Sequence, residues 1–263
     1  MTDAICANAI DGIKMKRDEY ARGWRAAALM VLFGLPGVFS ILLVLPDIPG
    51  VPRAALLVQP LISLVVLALA GAVTAPRVGL RSLLLERAAG RNVSFGHIPW
   101  QASAGIGCIL GIALATIDAV TAPLWRSASS VMHVVEGWRP ALLVTGILYG
   151  GITEEIMMRF GVMSGLAGLF SRIAGSTGSG LACWIGNIGA AILFGILHLP
   201  AVAAAGTAID AGIAIRTIGL NAVGGLIYGW LFMRGALEHA MLAHTGTHAG
   251  FAVAALGWRA PMP

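Results

Sequence analysis

The chain alternates long apolar stretches with short polar connections, and the apolar stretches are long enough to cross a lipid bilayer as helices. A hydrocarbon core of about 30 Å requires roughly 20 residues at 1.5 Å per residue. This length divides the sequence into about seven predicted spans, within a range of six to eight. They lie at residues 24–45, 54–74, 102–125, 140–161, 186–208, 217–233 and 236–257. The predicted fold is therefore all-α, a polytopic transmembrane helical bundle.

The composition agrees with a membrane environment. Hydrophobic residues make up 58% of the 263 residues and charged residues only 11%, whereas soluble domains carry about 25% charged residues. This charge is too sparse to cover a surface that faces water, so most of the surface is expected to contact the lipid bilayer. The net charge of +5 does not indicate a nucleic-acid partner, because the basic residues form no continuous patch.

The basic residues instead cluster beside the apolar stretches. Five lie in the first 25 residues and four between residues 77 and 91, which makes nine of the 17 lysines and arginines. This distribution is typical of cytoplasmic segments. We therefore predict a cytoplasmic basic amino-terminal segment at residues 1–23 and a single transmembrane domain at residues 24–258, in a multi-pass protein of a bacterial inner membrane. The three cysteines imply no disulfide framework.

The fourth predicted span contains ionisable residues where the bilayer makes charge costly. Glu154, Glu155 and Arg159 lie within it, and such residues indicate a function by default. Glu155 and Arg159 are four residues apart and share a helical face, so their charges can neutralise each other. Glu154 points about 100° away around a helix, and we interpret it as the carboxylate that remains available. The alternative is a purely structural salt-bridge network of all three.

The fifth span places a histidine in an apolar stretch. His198 lies in a segment without charged residues from 181 to 209, four residues after Phe194 and two before Pro200. Proline removes a backbone hydrogen bond from a helix, so we predict a kink at Pro200 that opens a polar pocket. A lone histidine of this kind can equally be a packing residue.

The last span contains two more histidines with helical spacing. His244 and His248 are four residues apart and therefore share one face of a helix. Glu238 and His239 belong to the first turn of the same span, and we assign them to the surface. Glu154 and His244 are both expected in the cytoplasmic half of the membrane, beside a water-accessible cavity.

One buried carboxylate and three buried histidines suggest two chemistries, both hydrolytic. In the first, Glu154 accepts a proton from water, and the histidines position that water or donate hydrogen bonds to the developing oxyanion. In the second, a zinc ion activates the water. Its ligands would be His198, His244 and His248, with or without Glu154. The chain has no His-Glu-x-x-His motif of the common zinc proteases, which weakens the zinc chemistry and leaves it open.

Together these clusters resemble the motifs of a known family. The sequence contains, in order, Glu154-Glu155-x-x-x-Arg159, Phe194-x-x-x-His198 and His244-x-x-x-His248. This order and spacing are similar to the CPBP family, also called ABI, of CAAX-processing and bacteriocin-processing intramembrane proteases, which is related to the type II CAAX prenyl endopeptidases. The resemblance covers about residues 140–257, the expected catalytic core, whereas the first three spans match only in being hydrophobic.

The resemblance implies an intramembrane endopeptidase of the glutamic or metal-dependent type. Its substrate would be a membrane-embedded or lipidated protein or peptide. Glu154 and His198 would activate the water, and His244 and His248 would stabilise the oxyanion. Where the family often has an amide, this chain has His248, whose imidazole can donate the same hydrogen bond or bind a metal.

The resemblance also implies supporting residues. Glu155, Arg159 and Phe194 would maintain the architecture of the site. We expect that no cofactor is required, with zinc as the alternative, bound by the three histidines and Glu154. The oligomeric state is not readable from the sequence.

Two further classes of function stay open at this point. A transporter with a proton relay is one, because buried acids and histidines also carry protons, and Asp118 in the third span fits it best. Asp118 can equally pair with a neighbouring helix. The sequence shows no internal repeat of the kind common in transporters. The other class is a non-proteolytic immunity or partner protein with the same fold.

Overall fold

The computed structural model describes residues 23–45, 50–125, 139–174 and 180–259. Residues 1–22, which form nearly all of the proposed amino-terminal segment, lie outside this part of the chain. Within the described ranges the regular elements are helices and there is no strand, so the predicted all-α fold is confirmed. Six described helices are long and apolar enough to cross a membrane. The protein is therefore an integral, multi-pass membrane protein.

The helices follow the order of the predicted spans. They are α1 Gly23–Leu43, α2 Arg53–Val78, the short α3 Leu83–Ala88, α4 Trp100–Trp125, α5 Pro140–Ile173, α6 Gly180–Leu197, α7 Leu199–Ala204, α8 Ala211–Arg234 and α9 Leu237–Arg259. Helices α6 and α7 form one span between them. The last helix, α9, has 23 residues but is not among the six apolar spans, because it carries acidic and histidine side chains.

Helix α5 differs in type from the α-helix that the sequence predicted. Its central parts, Gly146–Glu154 and Ile156–Met163, are π-helical, and only its ends are α-helical. A π-helix has hydrogen bonds between residues five apart, and short π segments occur frequently at functional sites. The helix is also longer than predicted, with 34 residues. The pattern of apolar residues carries no signal that distinguishes these two helix types.

Helices α4 and α9 pack against each other through glycines. Gly107 and Gly111 of α4 face the backbone of α9, and Gly246 and Gly250 of α9 face the backbone of α4. A Cβ atom at any of these four positions would collide with a carbonyl oxygen of the opposite helix. Small residues allow such close approach between membrane helices. The contact therefore holds the helix that carries His244 and His248.

The fifth predicted span is broken at His198. Helix α6 ends at Leu197, His198 forms a turn, and α7 starts at Leu199. The N–H group of His198 donates to the carbonyl of Gly195 at 3.2 Å, a tighter turn than that of an α-helix. Pro200 cannot donate a backbone hydrogen bond and restricts the residue before it. The helix is thus interrupted two residues before Pro200, and the histidine itself forms the turn.

The surface assignment of Glu238 and His239 was wrong for the histidine. His239 is fully buried, and its ring joins the backbone N–H of Ala236 at 3.1 Å to the carbonyl of Ile98 at 3.0 Å. Glu238 is half-buried and accepts hydrogen bonds from the Ser82 hydroxyl and from the first N–H groups of α3. The segment from α3 to α4 covers the start of α9, and the sequence pattern did not show that contact.

Asp118 has a charged partner on another helix. It is 1% exposed and accepts hydrogen bonds from Nε and Nη2 of Arg216 at 2.6 and 2.9 Å. The guanidinium carbon also lies 4.3 Å from the ring centre of Trp125. The predicted span began at residue 217 and left Arg216 outside the membrane, so the sequence did not reveal this pair. It joins α4 to α8.

Candidate active site

A pocket of about 280 Å³ lies between α5, α9 and the turn that joins α6 to α7. Three of the predicted catalytic residues line it: Glu154 from α5, His198 from the turn, and His248 from α9. The remaining lining residues are Leu142, Leu143, Thr145, Gly146, Tyr149, Gly150 and Phe251. The fold thus brings Glu154 and His248, which are 94 positions apart in the sequence, to one cavity.

The fourth predicted catalytic residue, His244, is not one of the residues that line this pocket, but it lies next to Glu154, which does. Its Nδ1–H donates to Oε1 of Glu155 at 2.8 Å, and the second carboxylate oxygen of Glu155 lies 3.3 Å from Nε of Arg159. All three side chains are buried. Glu155 therefore connects its own i+4 neighbour on α5 to a histidine on α9.

The two adjacent glutamates face different surroundings. The side chain of Glu155 is 0% exposed and that of Glu154 is 16% exposed. Oε2 of Glu154 lies 3.9 Å from Nε2 of His244, so one imidazole lies between both carboxylates. Glu154 is the acid that reaches the pocket, as its position about 100° from Glu155 on an ideal helix indicated.

The orientation of His198 follows from the backbone turn that contains it. Its Nδ1 lies 2.8 Å from the carbonyl oxygen of Phe194. A carbonyl can only accept, so Nδ1 carries the proton, and Nε2 of the neutral ring is an acceptor. Phe194 contacts His198 edge to face at 4.6 Å and His244 in the same way at 5.8 Å, measured between ring centres. This phenylalanine separates and positions the two histidines.

Arg159 is a fully buried cation. Its guanidinium carbon lies 4.9 Å from the ring centre of Phe194 and 5.3 Å from that of Tyr228. None of its three nitrogens has a hydrogen-bond partner among the residues that the structure describes. Its charge is balanced by Glu155, and its faces are covered by aromatic rings, which attract a desolvated cation.

Sequence reasoning missed Tyr228. This buried residue stacks on His244 with ring centres 4.5 Å apart and an angle of 16° between the planes. Its hydroxyl donates to Oγ1 of Thr247 at 2.7 Å, and the threonine hydroxyl donates to the carbonyl of Ala243 at 3.0 Å. A tyrosine within a glycine-rich span carries no motif signal. Only the packing of α8 on α9 shows that it holds the His244 ring.

His248 owes its position to glycines on the facing helix. Its ring stacks on His244 at 5.1 Å and contacts the edge of Phe251 at 5.8 Å. A Cβ atom at Gly150 would lie 2.5 Å from Nε2 of His248, and one at Gly146 would also collide with that ring. These two glycines therefore make room for a pocket histidine.

A zinc ion would need at least three of these histidine and acidic side chains to converge on one point. Across the described ranges no three His, Cys, Asp or Glu side chains are grouped to hold a metal ion. The rings of His244 and His248 are nearly parallel, with an angle of 16°. Their lone pairs lie in the ring planes and do not converge on a point about 2.0–2.1 Å from both nitrogens. The residues as placed do not fit a zinc ion.

These features define a polytopic membrane protein with a carboxylate and histidines in one pocket inside the helical bundle. Residues 136–250 match the family model of the Rce1-like type II CAAX prenyl endopeptidases, and the match includes every predicted site residue. The resemblance inferred from the three motifs is thereby confirmed over this segment, which is less than half of the chain. The family implies a protease with a membrane-associated substrate. Curated proteins and solved structures give no significant match.

Proposed function

We propose that this protein is an intramembrane endopeptidase that hydrolyses a peptide bond of a membrane-embedded or lipidated substrate, with water activated by Glu154. The observation that carries the proposal is the shared pocket of Glu154, His198 and His248. Glu155 is already engaged by two buried partners, whereas Glu154 faces the cavity. The match to the type II CAAX prenyl endopeptidase family supports the same reaction.

In the proposed reaction, Glu154 acts as the general base. A water molecule between Glu154 and Nε2 of His198 gives a proton to the carboxylate while its oxygen bonds to the carbonyl carbon. The electron pair of the carbonyl double bond moves to the oxygen, which becomes the oxyanion. Glu154 then passes the proton to the amide nitrogen as the C–N bond breaks. General base catalysis of this kind contributes about 100- to 10,000-fold to the rate.

The oxyanion needs donors on the side of the carbonyl away from the water. We assign this role to His248 and His244. His248 lies on the pocket wall, and one of its nitrogens carries a proton in either neutral tautomer. Nδ1 of His244 already donates to Glu155, so donation by Nε2 requires a ring with a proton on both nitrogens. No step in this mechanism uses a metal ion.

The substrate class follows from the surroundings of the pocket. Leu142, Leu143 and Phe251 give part of the lining an apolar character, which suits a lipid-anchored or transmembrane peptide. The family name indicates a prenylated carboxy-terminal peptide as the first probe. Such a substrate approaches from the bilayer, while the water must come from an aqueous face, for which we propose the cytoplasm. A cytoplasmic amino terminus and a bacterial inner membrane belong to the same proposal.

The test uses the full-length protein in proteoliposomes with an internally quenched farnesylated peptide ending in a CAAX sequence. Glu154→Gln and His198→Ala should each reduce cleavage by about 100-fold or more. Glu86→Gln makes the same chemical change as Glu154→Gln on α3, outside the pocket, and should cleave like the wild type. Retained cleavage by Glu154→Gln would overturn the proposal.

Two other outcomes would favour the alternative classes. Solute or proton flux that depends on Glu154 in proteoliposomes without any cleavage would indicate a transporter. A biological effect that is unchanged in both pocket variants would indicate a non-proteolytic immunity or partner protein.

A further inference from the structure

We infer that Tyr149 is a further catalytic residue, whose phenol donates a hydrogen bond to the oxyanion of the tetrahedral intermediate. The inference rests on the proposed function and adds a donor to the same site. Tyr149 lines the pocket together with Glu154, His198 and His248. Its side chain is half-buried, so one part of it packs in the core while another part reaches the cavity.

The π-helical form of α5 explains how Tyr149 reaches this position. In an α-helix, residues five apart differ by about 140° around the axis, at 3.6 residues per turn. Tyr149 and Glu154 would then face different directions. Both lie in the π-helical part Gly146–Glu154, where hydrogen bonds join residues five apart and align them along one side. Both side chains therefore line the same cavity, one turn apart.

The phenol of Tyr149 is available as a donor. It makes no hydrogen bond to any other residue within the described ranges. Thr145, another hydroxyl of the pocket, is engaged, because it donates to the carbonyl of Ser40 at 2.9 Å. The hydroxyl of Tyr228 is engaged as well, because it donates to Thr247. Tyr149 thus lines the pocket with a hydroxyl that has no partner among the described residues, and such a group is suited to bind a polar atom of the substrate.

Tyr149 shares its pocket with one proposed oxyanion donor, His248. The next residue, Gly150, approaches both histidines: a Cβ atom there would lie 2.5 Å from Nε2 of His248 and 3.3 Å from Nε2 of His244. Helix α5 thus approaches both histidines at the residue next to Tyr149, and Tyr149 and His248 line one pocket from two helices. Preorganised donors from different elements are the usual way to stabilise a developing oxyanion in a site with little water.

The proposed step requires only a hydrogen bond from the phenol, without proton transfer. Its proton stays on the tyrosine oxygen throughout, and it contributes a hydrogen bond that strengthens as negative charge develops on the substrate oxygen. The proton taken from water travels through Glu154 to the leaving amine. A neutral phenol meets this requirement directly, whereas Nε2 of His244 requires a doubly protonated ring.

The experiment uses Tyr149→Phe, which removes the hydroxyl and keeps the ring. We expect kcat for the farnesylated peptide in proteoliposomes to fall by about 100- to 1,000-fold with KM nearly unchanged, as for loss of one oxyanion donor. A phosphonate analogue of the scissile bond, a tetrahedral anion, should bind more weakly by a similar factor. Affinity for the cleaved product should not change. Thr116→Val is the control, since it removes an exposed hydroxyl on α4.

The outcomes separate this inference from the proposed function. If Glu154→Gln is inactive but Tyr149→Phe retains full kcat, the inference is wrong and the proposed function stands. A change in KM alone, with unchanged phosphonate affinity, would place Tyr149 in ground-state binding and would also overturn the inference. Activity in Glu154→Gln would overturn the proposed function itself. Failure of the wild type to cleave any lipidated or transmembrane peptide would overturn both.

Discussion

Nδ1 of His244 lies 2.8 Å from Oε1 of Glu155, and this hydrogen bond joins α9 to α5 inside the bundle. The two adjacent glutamates therefore have different roles. Glu155 is fully buried and pairs with Arg159 and His244. Glu154 lines the pocket instead. The two carboxylates approach opposite nitrogens of His244, but only Glu155 makes a hydrogen bond to that ring, at 2.8 Å against 3.9 Å for Glu154.

Glu155→Gln should destabilise the fold much more than Glu154→Gln. The neutral amide leaves Arg159 buried without its counter-charge, and breaking a buried pair in this way costs about 3–5 kcal/mol. Glu154 faces a cavity, so its replacement should change the free energy of unfolding by less than about 1 kcal/mol. Thermal unfolding of both variants in detergent measures this difference. Equal melting temperatures for the two would contradict the assignment.

Gly150→Ala should impair cleavage through His248. The added methyl would lie 2.5 Å from Nε2 of that histidine, so the ring must move out of its stacked position. We expect kcat to fall by about 10-fold or more, since small displacements of catalytic groups have large effects. Gly165→Ala is the matched control in the same helix, because nothing lies within 4 Å of its new Cβ atom. Equal rates for both variants would argue against a role of His248.

The Asp118–Arg216 pair should act as a structural link between α4 and α8. Asp118→Asn leaves Arg216 without its counter-charge, so a loss of stability of about 3 kcal/mol or more is expected. Replacing both residues by leucine should recover most of it, because an apolar pair of similar volume can substitute for a buried ion pair. Unfolding in detergent tests both variants. Proton flux that requires Asp118 would instead support the transporter alternative.

Cleavage should persist after treatment with a strong chelator. The described histidines and acids do not form a three-ligand group, and the two stacked imidazoles present parallel lone pairs. Elemental analysis of the purified protein should then give substoichiometric zinc. Stoichiometric zinc that is lost together with activity would show that the donors rearrange around a metal, and it would replace the proposed mechanism.

Sequence patterns predicted the spans because the bilayer imposes a length and an apolar composition on every crossing helix. They also selected Glu154, His198 and His248, which the pocket brings together, because ionisable residues are rare in such spans. Arg216 was missed because the predicted span boundary placed it outside the membrane. Its predicted span began at residue 217, six residues after the helix starts at Ala211, because the polar residues of the first turns do not show where an apolar helix begins.

Tyr149 and Tyr228 are site residues that the sequence patterns did not identify, for a different reason. Tyrosine is neutral at physiological pH, so it does not stand out in an apolar span as a charged residue does. A tyrosine there looks like a packing residue. Tyr228 became part of the site because α8 packs against α9 and stacks it on His244. Tyr149 joined the pocket because the helix is π-helical around it. Both depend on geometry that no residue pattern encodes.

The sequence by itself determined that this chain lies in a membrane, that it is a helical bundle, and which charged and imidazole groups are unusual there. These properties depend on composition and spacing, which are local. Only the tertiary structure decided that Glu155 pairs with His244, that Glu154 reaches the pocket, and that His239 is buried. Those outcomes depend on which helices become neighbours, on the type of helix that α5 adopts, and on glycines that allow backbones to approach.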